Sequence, residues 1–265
     1  MNRHNTFLTH LVAALALSHP LVAAPPAAAN AAFVEYAHSI ETRLGAQHST
    51  ERNFLAPTGC RQTQSPVVPC IERVAFTPLP TALLHHWRAT QFVPGTKAAD
   101  LDRLLRDSGA YPNLFAPQVE RARATLSSPD HLHLALRLRQ RHVLTVVLDA
   151  DYDVAFAQFD AQHRYSISRS THISEIDSPG TSAEHALPVD RDHGFLWRQN
   201  TYWSYEERDG GLLIQVESLS LTRAVPNGLG WAVNPYIQSI PRDSLEFTLH
   251  CISAALLHTK AAASA

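Results

Sequence analysis

Between Leu84 and Leu257 the chain reads as a strand, a short helix, a long series of strands and one final amphipathic helix. Strands that follow one another through short turns pair with their sequence neighbours, so the sheet is expected to be antiparallel. A single helix must then cover its apolar face. A curved antiparallel sheet closed by one helix tends to enclose an elongated apolar space, and this order points to a binding cavity rather than to a reaction.

The sharpest local signal is a hairpin, Phe195–Arg208 with Leu212–Arg223, turning at Asp209-Gly210. That dipeptide accepts the positive φ of a tight type I′ turn. Counting outward pairs Tyr205 with Ile214, Trp203 with Val216 and Thr201 with Ser218. Trp197, Gln199, Ser220 and Thr222 continue the row. This face is aromatic or aliphatic near the turn and small and polar further in, as a cavity wall would be. The other face, with Arg198, Tyr202, Ser204, Gln215 and Glu217, reads as the more solvated one.

Around the hairpin the remaining elements fall into place. Phe33, Tyr36, Ala37, Ile40 and Leu44 have the spacing of one helix face within residues 31–55. Residues 56–80 carry five prolines and Gly59, and read as a linker. A strand over 82–92 precedes the turn Pro94-Gly95-Thr96, where Thr96 is expected to cap a helix bearing Leu101, Leu104 and Leu105, with Gly109 at its stop. Tyr111-Pro112 begins an extended stretch. Strands follow over 118–124, 131–139, 143–159 and 164–176. Pro241 suits a helix first turn, and Leu245, Leu249, Ile252 and Leu256 form its stripe. The glycine-containing loop Pro226–Trp231 before it, with Gly228, Gly230 and Trp231, is a candidate gate.

At the other end, Arg3 and His4 precede the apolar run Leu11–Leu17, and small residues follow to Ala29. This is the pattern of a secretory signal peptide over residues 1–29, cleaved near Ala29. The expected organisation is therefore that peptide, a helix and Pro-rich linker over 30–80, and the main domain over 81–260. Export to the periplasm or medium is expected, with no transmembrane segment in the mature chain. In that setting Cys60 and Cys70 can form a disulfide, while Cys251 reads as a buried apolar residue of the last helix. Lys and Arg number 22 against 24 Asp and Glu, net charge −2, with no block of either sign. A nucleic-acid partner needs a basic face that this balance does not supply.

The chain resembles the START-like superfamily, which includes polyketide cyclases and lipid-transfer domains. The residues that carry the resemblance are Trp87-Arg88-Ala89-Thr90, then Ala98 through Asp107, then Tyr111-Pro112 and Pro117-Gln118-Val119, completed by the hairpin and the helix Ser244–Leu257. The resemblance implies an α+β helix-grip fold: a curved antiparallel β-sheet wrapped around a long C-terminal helix, here with an added N-terminal helical segment. It also implies an apolar small molecule or lipid held between sheet and helix. No cofactor is assigned. No enzyme motif transfers residue by residue.

Other constellations point less far. His131 and His133 share a strand face, but no third metal ligand is identifiable, so no metal is assigned. Asp149, Asp151 and Asp153 also share a face, without the glycine and glutamate of a calcium loop. Ser218 or Ser220 with His172 lacks an orienting third group. Arg169 and His172 are candidates for a polar head group of the ligand, provided that they point inward. The expected cavity lining is Trp197, Gln199, Thr201, Trp203, Val216, Ser218, Ser220, Leu249 and Ile252. Two alternatives stand beside ligand binding: a cyclase-, aromatase- or hydrolase-type enzyme using the same cavity, with Arg169, His172 and Tyr202 as the side chains to test, and a non-catalytic protein-interaction module docking through residues 31–55. The oligomeric state is not legible.

Overall fold

The computed structural model describes residues 24–59, 68–141, 145–189, 191–224 and 230–263, with side chains of the last helix described over 239–259. A helix, α1 (Ala27–Gln47), comes first. The strands β1 (Cys70–Leu79) and β2 (Ala82–Pro94) follow. Two short helices, α2 (Ala98–Arg106) and α3 (Tyr111–Leu114), lead into β3 (Val119–Ser128), β4 (His131–Arg141), β5 (Thr145–Gln158) and β6 (His163–Asp177). The two-residue β7 (His185–Ala186) precedes the hairpin β8 (Arg198–Arg208) and β9 (Gly211–Arg223). A helix of 34 residues, α4 (Gly230–Ala263), ends the described chain.

The strands form one antiparallel sheet in the order β1-β2-β9-β8-β6-β5-β4-β3, with β7 pairing β6. A sheet this wide twists and curls. The hairpin register is the expected one: Thr201 opposes Ser218, Trp203 opposes Val216 and Tyr205 opposes Ile214. Asp209 and Gly210 both take positive φ, 53° and 74°, as the turn requires.

Each face of the sheet has its own hydrophobic cluster. On the inner face, Leu245, Leu249, Ile252 and Leu256 of α4 join Trp87, Ala89, Val93, Trp203, Tyr205, Leu212, Ile214 and Val216. On the outer face, Phe33, Ala37, Ile40 and Leu44 of α1 join Leu84, Tyr202, Leu219 and Leu221. This explains why β9 is buried at every position but its last, whereas β4 and β5 alternate. The part of the sheet built from β2, β9 and β8 lies between two helices; beyond it, the outer face of β4 and β5 meets water.

Several expectations are corrected here. The outer face of the hairpin is not solvated: Tyr202, Ser204, Gln215 and Glu217 are all buried. Residues 56–80 are not only a linker, because β1 lies within them; it is an edge strand, where a proline such as Pro78 is tolerated. Helix α1 begins at Ala27 and ends at Gln47, with Ala29 buried. Tyr111-Pro112 opens the helical turn α3, not an extended stretch. Thr96 does not cap α2; the Ala98 N–H donates to the Glu207 carboxylate of β8 at 2.9 Å, and Lys97 N–H donates to Asp100. The last helix begins eleven residues before Pro241, which therefore sits inside it and forgoes one backbone hydrogen bond.

Candidate functional site

Alternation along the paired strands defines the inner face. On β2 it carries His85, Trp87, Ala89, Gln91 and Val93; on β9 it carries Leu212, Ile214, Val216, Ser218, Ser220 and Thr222. Cross-strand pairs put Val216 beside Ala89, Ser218 beside Trp87 and Ser220 beside His85. The half near the Asp209-Gly210 turn is filled with side chains: Trp203, Tyr205, Ile214, Val216, Leu249 and Ile252 pack in one buried cluster. Burying each of the aliphatic side chains is worth about 1.5–3 kcal/mol.

The other half is polar and still buried. The Tyr152 hydroxyl donates to Gln199 Oε1 at 3.0 Å, and the Gln199 N–H donates to Ser170 Oγ at 2.9 Å. Burial pushes the Tyr152 phenol well above its ordinary pKa. His85 lies 3.4 Å from the Thr222 hydroxyl, and its ring packs 5.3 Å from that of Phe76. Burial first, and the Arg73 cation second, lower the His85 pKa to about 4, so the imidazole is neutral at ordinary pH. Trp87 Nε1, Ser220 Oγ and, on α4, Ser253 Oγ are buried without a hydrogen-bond partner. An unmet buried donor costs roughly 1–3 kcal/mol, so such atoms mark places where a further group belongs.

The expected lining residues divide. Gln199, Thr201, Trp203, Val216, Ser218, Ser220, Leu249 and Ile252 share the inner side of the sheet. Trp197 does not. It lies in the outer cluster with Tyr202 and Leu221, and Leu196 packs against the inner cluster in its stead. The alternation breaks just before β8 because the chain turns at Gly194, whose φ is +73°. A Cβ there would stand 2.8 Å from the Trp197 ring, so only glycine fits.

The expected head-group residues are also corrected. Arg169 is exposed and forms a two-pronged ion pair with Glu41 of α1, at 2.7 and 2.9 Å. His172 is exposed opposite Asp151. Tyr202 is buried under α1 and donates to Glu41 at 3.2 Å. These three side chains therefore do not converge on the inner face, and neither His172 with Ser218 nor His172 with Ser220 makes a nucleophilic pair. Gly230 and Trp231 belong to the first turn of α4 rather than to a loop, while Gly228 lies outside the described residues. Cys70 is disulfide-bonded, and its expected partner Cys60 lies outside the described residues. Cys251 is a free thiol, partly buried against the inner cluster. His131 and His133 are exposed, with His133 Nδ1 2.5 Å from Asp153. Asp149 pairs with Arg137, at 2.5 and 2.6 Å.

Sequence reading missed His85, Trp87 and Tyr152 as inner-face residues. The parity of β2 was the available signal, because Trp87 lies two residues from both His85 and Ala89.

The outer face is organised around Glu217. Its carboxylate accepts His86 Nε2 at 2.7 Å and Arg43 Nη2 at 2.7 and 2.9 Å, with Arg88 Nε at 3.4 Å. Tyr36 OH meets His86 Nδ1 at 3.1 Å, and Arg88 also reaches Glu72 at 3.1 Å. Burial alone would raise the Glu217 pKa; the His86 hydrogen bond and the Arg88 and Arg43 cations outweigh it and hold the group at about 2. Two of these partners, Tyr36 and Arg43, come from α1, so the cluster fastens that helix to the sheet.

No family profile and no curated protein matches the chain. Among solved structures it is similar to the di-domain ARO/CYC StfQ from the steffimycin biosynthetic pathway, at 11% identity and TM-score 0.47 over 67% of this chain and 52% of that one. It is similar to a fragment of a STAR-related lipid transfer protein from Xanthomonas axonopodis, at 13% identity and TM-score 0.45 over 69% and 97%. It is also similar to human STARD10, at 12% identity and TM-score 0.42 over 70% and 76%. The chain's own strand order, with the long terminal helix against one face and β2-α2-α3-β3 opening the sheet, makes its fold a helix-grip fold, with strand β1 at the sheet edge and helix α1 on the opposite face.

Proposed function

We propose that this is an exported helix-grip protein that binds a hydrophobic or lipid-like small molecule between the inner face of the sheet and α4, without changing it. One observation carries the reading: the inner face is a buried apolar surface that ends in polar atoms left without partners, Trp87 Nε1 and Ser220 Oγ. A packed interior satisfies its polar groups internally, whereas a ligand site keeps a few for the ligand. Export rests on the signal-peptide pattern of residues 1–29 and accords with the bonded state of Cys70.

Native mass spectrometry of the purified protein tests the proposal. The expected result is a small-molecule adduct that is lost on denaturation and recovered in an organic extract. Protein that stays free of any adduct, from several expression hosts, contradicts it.

A further inference from the structure

The polar end of the inner face holds a cation, Arg73. Arg73 stands on the edge strand β1, directly opposite Trp87. Its guanidinium carbon lies 4.9 Å from the centre of the Trp87 ring and 5.6 Å from that of Phe76. Ile71, two residues earlier on β1, packs against the inner cluster, so this end of the edge strand faces the same side as Trp87. Among the described residues Arg73 forms no ion pair, whereas Arg43, Arg88, Arg137, Arg139, Arg164 and Arg169 each meet a carboxylate.

The neighbours of Arg73 reinforce its charge rather than cancel it. Trp87 Nε1 is a buried donor with nothing to donate to, and Ser220 Oγ is a buried hydroxyl in the same condition. His85 lies between them in the register, opposite Ser220 and two residues from Trp87. Arg73 is exposed at the sheet edge while Trp87 is buried, so the group runs from solvent into the interior. An indole face holds the guanidinium in place by a cation–π contact and leaves its N–H groups free to bind. A cation without an ion pair, beside two unmet hydrogen-bonding groups, is the chemistry that receives an anion.

We propose that Arg73, Trp87 Nε1 and Ser220 Oγ receive the anionic end group, a carboxylate or a phosphate, of an amphiphile whose apolar body lies along the inner face under α4. This rests on the ligand-binding reading above and names the class of ligand. It also moves the head-group site from Arg169 and His172 to the opposite side of the sheet.

The experiment is displacement of the neutral fluorescent probe N-phenyl-1-naphthylamine from the purified protein and from Arg73→Gln. The competitors are oleate, oleoyl lysophosphatidic acid and uncharged oleyl alcohol. The expected result is that at least one anionic competitor binds the wild type about tenfold or more better than the alcohol. Arg73→Gln removes that preference while the affinity for the alcohol stays unchanged. Loss for oleate alone assigns a carboxylate, and loss for the lysophospholipid assigns a phosphate. Trp87→Phe, which keeps the ring and removes the N–H, weakens the anionic competitor severalfold. Equal binding of acid and alcohol, or a preference that survives Arg73→Gln, overturns this inference and leaves the ligand-binding reading standing. Failure of the probe and of every competitor to bind folded protein overturns that reading, and this inference with it.

Discussion

The two faces of the sheet differ in what they bury, although each also holds buried polar atoms without a partner, Arg198 Nε and Asn200 Oδ1 on the outer face and Trp87 Nε1 and Ser220 Oγ on the inner one. Under α1, charge is buried and paired: Glu217 is enclosed by His86, Arg43 and Arg88, and Tyr202 meets Glu41. Under α4 the surface is mainly apolar, and its few polar atoms at the far end are left open. A charge-paired network such as that of Glu217 fixes a helix in one place. An open one at the end of an apolar surface is fit to meet something that comes and goes. The difference fits a structural role for the outer face and the proposed binding role for the inner one, although both carry a helix of similar apolar spacing.

The strongest way to break this contrast is to open the outer network. Glu217→Ala leaves Arg43, Arg88 and His86 facing a buried gap, and should cost about 3–5 kcal/mol in urea unfolding. Arg169→Ala, which breaks an exposed pair with Glu41, should cost under about 1 kcal/mol in the same measurement. Equal losses for the two would remove the structural role given to the Glu217 cluster.

Acid sharpens the comparison with a smaller effect. Burial holds His48 on the outer side and His85 on the inner side at about 4, below the ordinary 6.5. The unfolded chain takes up those protons first, so the fold loses stability as pH falls from about 6.5 to about 4. Asp192 opposes this. Burial raises it to about 6, so its contribution is full below its ordinary 3.8 and is lost as pH rises to about 6. Two histidines against one carboxyl leave a net loss on the order of 3 kcal/mol across that window. Further loss begins below 4.5, as the pH approaches the Glu217 value of about 2. Urea midpoints followed from neutral pH downward measure it; a flat profile to pH 4 would contradict the buried neutral state of the two rings.

Much of this architecture is written locally. The Asp209-Gly210 turn determined the hairpin register, and the spacing of Phe33, Ala37, Ile40 and Leu44 identified the buried face of α1. What that face packs against was harder to see. The polar residues Ser204, Gln215 and Glu217 suggested water, while Leu219 and Leu221 on the same side were the sign of a cover. Proline misled twice. Pro78 stands in an edge strand, and Pro241 stands within a helix whose other contacts outweigh it. Arg169 illustrates a different limit, because its partner Glu41 lies 128 residues away and no local pattern links them. Arg73 escaped notice for a related reason: its importance depends on standing opposite Trp87 and on forming no ion pair among the described residues, and both are properties of the assembled sheet.

The proposed ligand lies under α4 and not under α1. Hydrogen exchange, followed with and without saturating N-phenyl-1-naphthylamine, tests this directly. The prediction is slower exchange for α4 amides around Leu245–Leu256, with α1 amides around Phe33–Leu44 unchanged. Protection confined to α1, or none in α4 while the probe is bound, would contradict it.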